Sequence, residues 1–146
     1  MKNTSWLAAA VAAGAIGVTG AIGALAPIAA SAHASAERVT PALEQAIPNI
    51  PGKSLVAVVV DYPPGGASPA HEHAKSAFIY GYVVSGAIES QVNDGPRQVL
   101  RAGQSFYEPP GAKHSVSRNA SKTRPAKLLA VFVVDTDDTA LTTPTH

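Results

Sequence analysis

Three histidines carry the chemistry that this sequence offers. His71 and His73 stand two residues apart, and side chains on an extended strand alternate between faces, so both imidazoles point the same way and reach one ion. His114, just past the turn-forming run Pro109, Pro110, Gly111, supplies a third from a neighbouring strand. Three imidazoles on one side of an ion are a donor set that Fe, Mn, Ni, Cu or Zn accepts. Of the 5 histidines in the chain, His33 falls in an apolar N-terminal run and His146 is the last residue, so neither competes for that role. The chain has no cysteine, which excludes thiolate ligands, disulfides, a lipidated cysteine and a cysteine nucleophile.

Glycines and a proline frame these histidines at telling intervals. Gly65, His71, His73 and Gly86 stand in the places of the pattern G-x(5)-H-x-H-x(3 or 4)-E-x(6)-G, and Gly103, Pro109, Gly111 and His114 in those of G-x(5)-P-x-G-x(2)-H-x(3)-N. In these residues the sequence resembles the cupin superfamily. The resemblance implies a jelly-roll β-barrel with a divalent metal held by His71, His73 and His114. It also makes an oxygenase the leading catalytic class.

The resemblance breaks at the family's glutamate ligand. Counting back from Gly86 puts that glutamate at Ile79, and the run Ala74 to Gly86 contains no carboxylate and is one residue too long. The second pattern ends on Arg118, with Asn119 one step late. Three readings stay open: a three-histidine site, a site completed by a carboxylate from elsewhere, or a relic that holds no metal. Glu108, just before Pro109, and Glu89, after Gly86, are the candidate replacements, with Glu108 the expected fourth ligand or catalytic acid/base. Glu72, between two inward histidines, faces the other way. Taken singly, each histidine would also suit a solvated loop.

Several strands must position these groups. Leu55 to Tyr62, Ala77 to Ser85, Ala87 to Val92, Gln98 to Arg101, Gln104 to Glu108, His114 to Arg118 and Leu128 to Asp135 are short, rich in β-branched or aromatic residues, and separated by Gly, Pro and Asn turns such as Asn93, Asp94, Gly95, Pro96. The expected fold is therefore all-β, an antiparallel barrel or jelly roll over 54–135. Glu37 to Lys53 reads as a lead-in with a short helical turn, capped by Thr40 and started by Pro41. The polar tail 136–146 reads as frayed. The aromatic residues Phe78, Tyr80, Tyr82, Phe106 and Tyr107 read as core, with one or two walling a pocket.

Composition bounds the rest. Lys2, an uncharged apolar run to Ala36 broken by Pro27, and overlapping A-x-A sites make 1–36 a signal peptide cut after Ala34 or Ala36, and the mature protein exported, periplasmic or secreted. Without Lys2 the 11 basic residues become 10, equal to the 10 acidic ones. That balance, with only Lys122, Arg124 and Lys127 clustered, argues against nucleic acid. The expected partner is a small-molecule ligand or substrate, with no stable membrane association after cleavage and with homodimerisation open. The sequence thus points to an exported metal-binding cupin acting on a small molecule, as a dioxygenase if catalytic. The alternative is a non-catalytic protein that binds or senses a small molecule or metal.

Overall fold

The computed structural model describes residues 37–145; the leader expected over 1–36, and His146, lie outside the described residues. Ten strands run in order: β1 (Arg38–Ala46), β2 (Lys53–Tyr62), β3 (His71–His73), β4 (Phe78–Ser85), β5 (Ala87–Val92), β6 (Gln98–Arg101), β7 (Ser105–Glu108), β8 (Lys113–Asn119), β9 (Ala126–Asp135) and β10 (Thr142–Pro144). They form two five-stranded sheets, ordered β1-β2-β9-β4-β7 and β10-β3-β8-β5-β6, and every pairing is antiparallel. The all-β expectation holds, and no described residue is helical.

Alternation builds the core. Along β9, Ala126, Leu128, Ala130, Phe132 and Val134 are buried while their neighbours are less so. They join two apolar clusters, one around Val60, Tyr62, Val83, Ile88 and Leu100 and one around Ala77 and Ile79. The outward residues Leu129, Val131 and Val133 are also apolar, which hides the period of two in the sequence. Gly86, between β4 and β5, has φ of 73° and lies so close to the chain that an added Cβ would sit 2.7 Å from the Pro125 carbonyl. A side chain there meets both a backbone and a steric penalty.

The fold extends past 54–135 at both ends. The lead-in expected to turn as a helix is instead β1, an edge strand paired with β2 whose register shifts between Pro41 and Leu43. Proline, which cannot donate to a ladder, is tolerated at such an edge irregularity, and β2 offers Val39 and Thr40 a partner that an isolated helical turn would lack. The tail expected to fray forms β10 against β3, with Thr142 opposite His73, and Leu141 packs on the second core cluster.

Candidate metal centre

Strand pairing brings the three histidines together. His71 and His114 are direct cross-strand partners on β3 and β8, and His73 follows two residues on. Their ring centroids lie 4.8, 5.3 and 6.1 Å apart, and one nitrogen from each falls within 4.8 Å of the others, so the three are placed to share a metal ion. His73 and His114 are buried and His71 is half-buried. Each ring has its second nitrogen engaged: His71 Nδ1 is 2.8 Å from the Pro69 carbonyl, His73 Nδ1 3.4 Å from the Leu141 carbonyl, and His114 Nε2 2.9 Å from Ser90 Oγ. A carbonyl takes only a donated hydrogen, so His71 and His73 present a lone pair on Nε2, the form a metal needs.

Glu108 lies in their midst. It comes from β7 in the opposite sheet, is 3% exposed, and puts Oε2 3.0 Å from His73 Nε2 and Oε1 3.2 Å from His114 Nδ1. Burial alone would push its carboxyl up, but its contacts with His114 and His73 outweigh that and hold it at about 2. Burial also holds His71 below its ordinary 6.5. With its hydrogen on Nδ1, His73 Nε2 is an acceptor like Glu108 Oε2, so the two do not bond although 3.0 Å apart, and both are buried with no hydrogen-bond partner. Orphaned polar atoms in a protein interior are uncommon, and an ion between the ligands is one way to satisfy them.

The position where the glutamate was expected, Ile79, is inward-facing, 1% exposed, and the cross-strand partner of Glu108. A carboxylate is thus present one strand over from the place where the pattern puts it. Both irregularities in the motif spacing have a place in the structure. The extra residue lies between His73 and Ile79, in the connection from β3 to β4, since Ile79 to Gly86 keeps the pattern's spacing, and the late asparagine is absorbed where the β5–β8 register shifts between Gln91 and Val92, opposite His114 to Val116. An inserted residue changes which side chains face inward. Arg118 accordingly points out to Glu89 at 2.6 Å, and buried Asn119 holds the carbonyls of Tyr62, Pro63 and Arg124. Glu89, engaged by Arg118 and Arg97 on the outside, is not at the site, and Glu72 is exposed, facing away as expected.

Beside the histidines a cavity of about 200 Å³ opens between the sheets. Val58, Val60, Ile79, Phe106, Leu128 and Phe132 are among its walls. Gly81 makes room for Phe106, whose ring would lie 2.5 Å from an added Cβ. Of the aromatics read as core, Phe106 lines this cavity, whereas Phe78, Tyr80 and Tyr107 are exposed on the outer face. At another pole Tyr62 Oη lies 2.8 Å from both Ser68 Oγ and Ser117 Oγ. Glu37 also reaches the cavity and has a buried oxygen without a partner. The sequence reading missed Glu37, Tyr62 and Ser90; only pairing distant in sequence puts them here, and no local signal marks them.

With this geometry in view, comparisons with known proteins decide the family. The profile of the Cupin domain matches residues 58–132, which include all three histidines and Glu108. The chain belongs to the cupin family. A germin-like protein (subfamily 2 member 2) of Arabidopsis thaliana is 30% identical over 98 residues, 64% of this cupin and 43% of the plant protein, so the chain spans under half of that relative's length. A recombinant oxalate oxidase in complex with glycolate superposes with a TM-score of 0.54 at 26% identity, covering 70% of this chain and 52% of the other. A conserved protein with a double-stranded β-helix domain from Klebsiella pneumoniae gives 0.57 at 24%, covering 73% and 84%; at that identity the likeness is one of fold.

Proposed function

We propose that this cupin binds a divalent transition metal through His71, His73 and His114, with Glu108 as the fourth ligand, and acts on a small molecule held in the adjoining cavity. The observation that carries this reading is the pair of buried, unpartnered atoms His73 Nε2 and Glu108 Oε2, 3.0 Å apart. Two donors each about 2.1 Å from one ion and at right angles to each other stand about 3.0 Å apart. Glu108 then serves as a ligand rather than as an acid/base: both its oxygens face histidine rings, and a carboxyl held at about 2 stays ionised through neutral pH. Bound there, the ion would supply Lewis acidity or redox chemistry to a molecule in the cavity. The protein supplies the rest: Pro69, Leu141 and Ser90 fix the ring orientations, and the apolar walls limit water around the reacting group.

An oxygenase is the activity we assign: the three clustered histidines support a metal, and the similarity to an oxalate oxidase supports oxidation as the class. The leader read in 1–36 assigns the work to an exported protein. Elemental analysis of the protein purified with its native metal tests the site. Alanine at His71, His73 or His114 is expected to remove most of the metal, and alanine at His146 none. Native protein without metal, or metal retained by all three variants, would overturn the reading. Metal-loaded protein that consumes no oxygen with any small molecule screened would make it a binding protein.

A further inference from the structure

The cavity's chemistry points to what it holds. Among the described residues, no lysine or arginine lines it, while two carboxylates do, Glu37 and Glu108. Glu108 faces His73 and His114 and, on the reading above, is taken up by the metal. The Tyr62, Ser68 and Ser117 hydroxyls satisfy one another, and burial, aided by the charges of Glu37 and Glu108, pushes the Tyr62 hydroxyl up, so this cluster stays neutral. That leaves Glu37 Oε2, buried and accepting nothing, as the acceptor still open in the cavity. A buried carboxylate oxygen without a donor is unfavourable, and a ligand that brings one relieves it. A ligand carboxylate there would instead meet like charge with no cation to offset it.

Resting on the reading of the site given above, we propose that the cavity takes a small uncharged or cationic molecule, an apolar body bearing a hydroxyl or amine donor, and that Glu37 receives that donor and so selects against anionic ligands. Size follows from the volume: a 150 Å³ apolar cavity accommodates benzene, so about 200 Å³ suits roughly eight non-hydrogen atoms. Val60, Leu128 and Phe106 form the wall for the apolar body, and Gly81 keeps Phe106 seated there. Glu37 precedes the edge strand β1 and is not part of either core cluster, so its substitution is expected to leave the fold intact.

Calorimetry with benzyl alcohol, benzylamine and benzoate, three probes of nearly equal size, tests this on the protein carrying its native metal and again after chelation. The alcohol and the amine are expected to bind at least about tenfold more tightly than benzoate. Glu37→Gln, which keeps the shape and removes the charge, should cut the preference for amine over benzoate by about tenfold and leave the metal content unchanged. Benzoate binding as tightly as the others, none of the three binding, or a preference untouched by Glu37→Gln would each overturn the proposal. Metal content measured on the same samples judges the metal reading separately, because the comparison on chelated protein needs no ion.

Discussion

At the scale of single residues the site is a problem of protons. A ring nitrogen must be neutral to ligate, so protons and metal compete for it. His71 and Glu108 both titrate below their ordinary values of 6.5 and 4.5. A group whose folded value is depressed contributes stability above its unfolded value and loses it as pH falls through the folded one. The metal-free protein is therefore expected to become less stable on acidification, first through the His71 contribution below about pH 6.5 and then through that of Glu108 between 4.5 and about 2. Thermal melts between pH 7 and pH 3 check this, and a melting temperature that rises on acidification contradicts it. Glu108→Gln separates ligand from acid/base. A lost ligand should weaken metal binding by more than about tenfold, whereas a catalytic acid/base would leave affinity nearly intact. The three histidines were legible in the sequence because they stand at a fixed spacing, and Glu108 was one of two candidate carboxylates, which β7 brings beside them. Glu37 was not, since a glutamate that follows an uncharged apolar run carries no sign of the cavity to which pairing brings it.

Strands decide where those residues act, and here the sequence was legible in outline only. The seven strands expected from Leu55 to Asp135 were readable from β-branched runs and turns, and each of them matches an observed strand within two residues. The register shift in β8 was not, because counting along a motif assumes unbroken alternation, and a single inserted residue turns the count over. That is why Arg118 stood where an inward asparagine was expected. Nor can a count along one strand show that Ile79 faces a carboxylate on β7. The adjacency can be tested by exchange. In the double variant Ile79→Glu with Glu108→Ile, the carboxylate moves to the neighbouring strand, where the family pattern has it. The variant is expected to retain metal that the single change Glu108→Ile loses; equal loss in both would show that the position across the strand pair matters. Gly86→Ala is expected to destabilise the fold by about 1–3 kcal/mol in denaturant melts, from its positive φ and the close Pro125 carbonyl.

The whole molecule presents an outer face that its core does not explain. By the strand register, Leu129, Val131 and Val133 on β9, Phe78, Tyr80 and Tyr82 on β4 and Tyr107 on β7 all point outward from one sheet. Tyr107 is 65% exposed and stacks on Phe78 with centroids 5.8 Å apart. The apolar character of these outward residues also hides the period of two along β9 in the sequence, which alone cannot distinguish core from interface. Exposed apolar surface of this kind suits a contact with another protein. A second copy is the occupant that fits best. The face carries a balanced charge rim, Lys53 with Asp135 at one end of the β2–β9 pair and Lys127 with Asp61 at the other, and a two-fold contact requires a surface complementary to itself. A strongly charged partner would find no complement there. Light scattering at micromolar concentration is therefore expected to give twice the mass of the chain. Tyr80→Lys, which buries a charge in that contact, should return it to one chain without altering the metal content. A single-chain mass for the unaltered protein at about 100 μM, well above the affinity of an interface of standard size, would show that the face is left open or receives a different partner.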